Sequence, residues 1–594
     1  MSKFLSTLKQ LLLAFDWSLS PDNCLFAMPV MRSNQKRLGA VPTHNRSIDD
    51  LPNEVLIQIF KFVLAVNKDK EPVLRVGSHG APPVNTSRIC LITFVCRRWR
   101  SLARDYPHFW SRIDGTKRDR LDLFLRLSRS VPVSLVLSAE LPDIGDILAL
   151  QGPRIRRLDL AVPPPMAAMV PLLLSFTATS LDCLTIAYSQ DVQDSDRPSD
   201  PVALFDSEVV PLKALMIYNA PNWLPQNHFP KLTHLHMGLR THCDHPRISS
   251  VCDFLRNTPN LTHLHIHGIP SLRRFTHRPV PAAPVSLPNL RSLTVAFGAF
   301  DAAIALATSL VVPSDIYCCL DHLMVFSDGP VAHLPKSPPL DALDGMTMLQ
   351  LAADDHILHL VAESPSSGFW LQAYIASITL SWGAWLDDLH ASLPLWRITT
   401  FHVFVGGNRY LLFSLLRHMP SLVELGVRLQ RDYEETDVAP DESVARSLYL
   451  HLSDAAVCRD LRTLKVDIMV YNASSLVNVR VSELVHMTTN RGLQGSPLDC
   501  VIIQPFAGAT RIETSGTALL SRLREALTSI THVQEVDLRR PGPPCVTFGK
   551  RQCWRDGDFN EYWRLNMMQR AVCRLPGKCS RELVEFEEAD FTIM

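Results

Sequence analysis

Residues 229–238 read FPKLTHLHMG, and 29 positions on, residues 258–267 read TPNLTHLHIH. A third version, LPNLRSLTVA, follows at 287–296. Each holds apolar residues in the order h-x-x-h-x-h, and the same order recurs along most of the chain. The first apolar positions are Ile155, Leu181, Leu212, Leu232, Leu261, Leu290, Leu320, Met346, Ile398, Leu422, Leu461, Leu498 and Val533. From Leu232 to Leu320 the steps are 29, 29 and 30; elsewhere they range from 20 to 39, with one gap of 52 that leaves room for a degenerate unit. A unit this short cannot bury its leucines alone, so neighbours must stack to share one core.

The phrase has a local meaning. Its last apolar residues alternate with polar ones, as a strand with one buried face requires. Pro230, Pro259, Pro288 and Pro420 stand two residues before the first leucine and interrupt what precedes them. What precedes them is helix-like: ISSVCDFLRN before Pro259 and YLLFSLLRHM before Pro420 carry three/four spacing. Helix, proline, strand, repeated, resembles the leucine-rich repeat. The fold class expected is therefore α/β, with an irregular leucine-rich-repeat-like solenoid over 120–540. Arg240, Ile269, Gly298 and Gln430 occupy the places where that family carries Asn or Cys, so no asparagine ladder is expected there. Insertions are expected at 188–206 and 327–343.

Nine of the 22 histidines lie between 228 and 277. In a strand, alternate residues share a face, so His263, His265 and His267 project together. The 29-residue step sets His234 beside His263 and His236 beside His265, giving an imidazole cluster offered here as the candidate substrate-binding surface. His242, Cys243 and His245 are near enough in sequence to raise zinc. The bland alternative is stronger, because Thr-His-Leu belongs to the repeated phrase itself, and no metal or other cofactor is assigned.

Ahead of the repeats stands IDDLPNEVLIQIFKFVL from Ile48 and, after a polar, proline-rich stretch at 66–88, ICLITFVCRRWRSLARDYPHFW from Ile89. Pro52 suits a first helical turn and Glu54 the positive end of the helix dipole. Val55, Ile59 and Val63 form a stripe that Leu56 and Phe60 widen. Read as one helix, Leu91, Val95, Trp99 and Leu102 share a face, while Arg97, Arg100 and Arg104 lie opposite, in solvent. These apolar faces are broader than so small a core requires, which points to a partner.

The two segments together resemble the F-box family, in Leu51, Pro52, Glu54, Ile59, Phe60, Val95, Cys96, Arg97, Trp99, Leu102, Ala103, Phe109 and Trp110; the order of modules is similar to that of fungal F-box proteins. The resemblance implies a helical module at 47–113, with 66–88 an insertion, that docks onto a Skp-type adaptor and through it a cullin. It implies Leu51, Pro52, Glu54, Val55, Leu56, Ile59, Phe60, Val95, Cys96 and Trp99 as the adaptor-binding residues. Residues 1–46 are then a leader expected to lack order, and 541–594 a C-terminal cap or tail.

The totals agree with such a protein. Lys+Arg and Asp+Glu are 59 each, which argues against nucleic acid, since phosphate backbones need surplus cation. No stretch approaches the roughly 18 apolar residues of a membrane span. The 14 cysteines are scattered through apolar segments without zinc spacing, as expected of a cytoplasmic or nuclear chain. There is no GxxxxGK[ST], GxSxG or HExxH. Asp387-Asp388 and Glu434-Glu435 read as solvated turns, and Cys318-Cys319 as core. The expected function is the substrate-recognition subunit of an SCF-type ubiquitin ligase, non-catalytic, with an unidentified protein substrate. The alternative is an interaction scaffold of the same architecture with no ligase role.

Overall fold

The computed structural model describes residues 48, 51–65, 87–115, 118–188, 202–219, 223–239, 248–269, 283–325, 343, 345–353, 357–375, 382–387, 389–405, 409–429, 444–470, 481–507, 524–525, 527–528 and 533–538. The leader, most of the 66–88 and 327–343 insertions, residues 189–201, His242, Cys243, His245, Glu434-Glu435 and the 541–594 tail lie outside the described residues. The chain divides into two compact units, Met1–Glu71 with Pro82–Val131, and Pro132–Met594 with Pro72–Ala81.

The first unit is helical, with one short strand, β1 (Arg112–Asp114). Its first helix is Asn53–Ala65, with Pro52 just ahead of it, where a missing N–H is no loss. Leu56 and Phe60 turn inward and are fully buried. The single helix expected across Leu91 to Leu102 is two, Ser87–Val95 and Arg97–Arg104. Cys96 breaks them: its backbone is extended, and its Sγ accepts from the Trp99 N–H at 3.4 Å as an N-cap. The break re-aims the chain, so Trp99 is buried while Leu91 and Val95 are exposed. Phe60 lies 4.8 Å from the Trp99 ring and 6.1 Å from Phe109. Trp110 donates from Nε1 to the Ala103 carbonyl at 2.8 Å and packs edge-on against Phe124 of the Arg118–Leu127 helix. The aromatic end of the motif thus closes the module's core.

The second unit is built on a long, mostly parallel sheet. In chain order its strands are β2 (Val133–Ser138), β3 (Ile155–Val162), β4 (Cys183–Tyr188), β5 (Ala214–Tyr218), β6 (His234–Gly238), β7 (His263–His267), β9 (Ser292–Ala296) and β11 (Tyr317–Val325). Then come β12 (Met348–Ala353), β13 (Ile357–Glu363), β14 (Gly368–Ile375), β15 (Thr400–Val405), β16 (Glu424–Leu429), β17 (Thr463–Val470), β18 (Leu498–Ala507) and β19 (Val533–Leu538). The short pair β8 (Val285–Ser286) and β10 (Leu310–Val311) stands apart, also parallel. One face carries Leu184, Leu215, Leu235, Leu264 and Leu293 side by side, all fully buried; each contributes about 1.5–3 kcal/mol.

The repeated phrase corresponds to a repeated set of hydrogen bonds. Pro230, Pro259, Pro288 and Pro420 each occupy the second position of a turn closed by Leu232, Leu261, Leu290 and Leu422 donating to the residue three back, at 3.1–3.2 Å. Proline's fixed φ suits that position. Two consecutive amides then share one carbonyl of the preceding unit: Thr233 and His234 on Lys213, Thr262 and His263 on Thr233, Arg291 and Ser292 on Thr262. An asparagine contact does exist, but before the strand rather than after it. Asn260 donates to the Pro230 carbonyl at 2.7 Å, and Asn289 to Asn260 Oδ1 at 3.1 Å.

Three features of the sheet depart from the sequence reading. The step after β9 is 25 residues, not 30, with Ser292 opposite Tyr317; Leu320 therefore stands beside Val295, and on its other side, against β14, β11 shifts register between Leu320 and Leu323. The helix Phe300–Thr308 begins four residues after β9 and shortens the connection. The gap of 52 holds not one degenerate unit but an antiparallel meander. β14 pairs with β11, β13 runs antiparallel between β14 and β12, and β12 pairs with β15. Finally β2, from VSLVLS, precedes the first recognised phrase. Among the helices, Ile248–Arg256 buries Val251, Phe254 and Leu255, and Val481–Leu493 buries Leu484 and Met487.

Candidate functional site

On the first unit, the first two helices carry more apolar surface than their core uses. Phe62 is 57% exposed, Leu91 37%, Phe94 46% and Val95 59%. Val55 and Ile59 are half-buried; Pro52 and Glu54 are exposed at the start of the helix, beside a half-buried Leu51. Leu56, Phe60 and Trp99 point the other way and hold the module together, and Cys96 caps a helix. The ten residues assigned from the sequence thus divide between surface and scaffold. Phe62 and Phe94, exposed on the same two helices, were not among the ten. Their signal is present, because the apolar density of ICLITF, on both sides of a helix, exceeds what one buried stripe explains.

The lip formed by Leu51 and Pro52 is tied down from a distance. Arg98 donates from Nη2 to the Leu51 carbonyl at 2.5 Å, and from Nη2 and Nε to Asn53 Oδ1 at 2.8 and 3.2 Å. Arg100 donates from Nε to the Thr93 carbonyl at 2.9 Å, near the end of the second helix. Two of the four arginines around Trp99 therefore bind backbone rather than only facing water.

On the second unit, the face opposite the leucines carries the histidines, paired as the 29-residue step predicts: His234 opposite His263, His236 opposite His265. His234 and His263 stack at 4.4 Å, 11° from parallel, and His236 meets His265 edge-on at 4.5 Å. Thr233 and Thr262 hydroxyls stand 2.9 Å from Nδ1 of the histidine that follows each. His234, His236 and His265 are buried, however; only His263 and His267 keep exposed surface. Burial, reinforced by His265 and His267, holds His236 well below the usual imidazole range, and burial lowers His267 to about 4. The His236 and His267 rings are therefore neutral near pH 7. The ring row continues from His267 through Phe297 and His322 to Tyr374, at 5.0, 4.8 and 5.8 Å.

Further along the same face, His402 Nε2 lies 2.9 Å from Glu424 Oε1, and Lys465 Nζ donates to that oxygen at 2.6 Å. Those bonds, His402 first, hold Glu424 at about 2 despite partial burial. Cys318 and Cys319 are buried, and burial pushes the Cys318 thiol up to about 12, so it is core. Among the described residues no group of three or more His, Cys, Asp or Glu side chains is arranged to hold a metal ion, and no helix is long and apolar enough to cross a membrane.

The helical module decides the comparison with known proteins. Residues 48–116 match the F-box-like family. No curated protein matches the chain. The match suggests a role in binding the adaptor of a ubiquitin ligase; F-box proteins are typically non-catalytic, and no catalytic domain is shown beside it.

Proposed function

We propose that this chain is the substrate-recognition subunit of an SCF-type ubiquitin ligase. Its F-box-like module, 47–113, docks a Skp-type adaptor and through it a cullin. The region 120–540, taken as an irregular leucine-rich-repeat-like solenoid, holds a protein substrate. The observation that carries the reading is the apolar surface left over on the module: Phe62, Leu91, Phe94 and Val95 stay exposed although Leu56, Phe60 and Trp99 already complete its core. The parallel strand succession and the recurring proline turn favour the repeat reading of the second unit. Chemistry is not required of the chain; it supplies proximity, holding a substrate where a recruited enzyme can modify it. Of the five histidines offered for substrate contact, His263 and His267 are the accessible ones. All eight cysteines among the described residues are free thiols, which suits a cytoplasmic or nuclear chain.

Co-precipitation of the full chain with a purified Skp-type adaptor and cullin tests this. Wild type should retain both, and Leu51→Ala/Pro52→Ala should lose both. Failure of wild type to bind, together with failure of a 66–88 deletion, would leave the interaction scaffold as the better reading.

A further inference from the structure

The four arginines around Trp99 are not equivalent. Arg97, Arg100 and Arg104 are exposed, whereas Arg98 is half-buried and reaches back to chain 45–47 residues earlier. Its guanidinium lies at the N-terminal end of the Asn53–Ala65 helix, where the dipole disfavours a cation. Two planar donors meet two acceptors there, the Leu51 carbonyl and Asn53 Oδ1. Among the described residues the lip also makes backbone bonds, Leu51 donating to the Ile48 carbonyl at 3.2 Å and Val55 and Leu56 donating to the Pro52 carbonyl at 3.1 Å.

We propose that Arg98 is a positioning residue that locks the Leu51–Pro52 lip onto the third helix, so that the adaptor-docking face is ordered before the adaptor arrives. The inference rests on the docking role assigned above. Arg98 need not touch the adaptor. Its effect is to remove an ordering penalty from docking, because an unlocked lip would have to surrender the backbone freedom of about two residues on binding. Surrendering even part of that freedom is enough to weaken docking about tenfold. A lysine at 98 has no planar fork and can satisfy one acceptor at a time.

The test uses the full chain and two readouts: hydrogen exchange of the free protein, and affinity for a purified Skp-type adaptor. Arg98→Ala should speed exchange of amides 51, 55 and 56 about tenfold and weaken adaptor binding by a similar factor. Exchange at Trp99–Ala103 and at Phe109–Trp110 should not change. Arg98→Lys should fall between Arg98→Ala and wild type, Asn53→Ala should add nothing in the Arg98→Ala background, and Arg104→Ala should change neither readout. Unchanged exchange at the lip would overturn the lock. Acceleration spread through the whole module would reduce Arg98 to a general stabilising residue, and overturn the proposal as well. Faster lip exchange with unaltered affinity would remove its part in docking. A wild-type chain that fails to bind the adaptor overturns the reading beneath the proposal, and that failure is recognised in the wild-type arm alone.

Discussion

Truncating Phe62 or Phe94 should weaken adaptor docking without unfolding the module, and the size of the loss can be worked from exposure. A phenylalanine side chain offers on the order of 200 Å² to burial. Phe62 is 57% exposed and Phe94 46%, so roughly 100 Å² of each remains for a partner. At about 25 cal/mol per Å² each ring contributes about 2–2.5 kcal/mol on full burial. Phe62→Ala and Phe94→Ala should therefore each raise the adaptor Kd about 30- to 70-fold, with little change in the thermal transition of the free protein. Phe60→Ala is the contrasting control. Its ring is fully buried against Trp99 and Phe109, so truncation should destabilise the module by about 3–5 kcal/mol and abolish docking only through unfolding. Titration calorimetry with purified adaptor, alongside circular dichroism of each variant, separates the two effects. Affinities within about twofold of wild type for both exposed-ring variants would refute the reasoning, whatever Phe60→Ala does.

Other consequences follow from the second unit. Arg491 is fully buried and donates to the carbonyls of Ser496, Leu452, Val457 and Cys458; Arg491→Met leaves several of them without a donor and should destabilise this unit by about 3–5 kcal/mol in urea unfolding. A loss below about 1 kcal/mol would contradict that account. Gly268 sits at φ +79°, and a Cβ there would strike the Leu239 carbonyl; Gly268→Ala should lower stability by at least about 1 kcal/mol, read as a falling Tm. The pH response has a defined sign. His267, depressed to about 4 when folded, is protonated first in the unfolded chain, so its contribution is complete above pH about 6.5 and is lost as pH falls from there to about 4. Glu424, also depressed, adds a second loss as pH falls from about 4.5 to about 2. His267→Phe should make the first decline shallower, with His236 supplying part of what remains, and leave the second; an unchanged slope between pH 6.5 and 4 would count against burial as the cause.

Spacing and side-chain type made much of this protein legible without coordinates. The 29-residue step was sufficient to pair His234 with His263 and His236 with His265, because a parallel sheet built from equal units can keep only one register that buries all its leucines. Leu-Pro followed by V-C-R-x-W was sufficient for the helical module. What distance along the chain encodes poorly is where side chains end up when helices break or strands reverse. Cys96 splits one apparent stripe into two helices, and the same residues then divide into core (Trp99) and surface (Val95).

The sequence by itself determined the local elements: the turn at each Pro-x-Leu, the alternating strand after it, the apolar helices at either side of 66–88. These depend on neighbours within a few residues, so their chemistry is written consecutively. Only the tertiary structure decided the meander of β12–β14, the burial of His234, His236 and His265, the exposure of Phe62 and Phe94, and the reach of Arg98 across 45 residues to Asn53. Each of those depends on which distant groups compete for the same buried surface or the same hydrogen-bond acceptor, and that competition is settled only when the chain has packed.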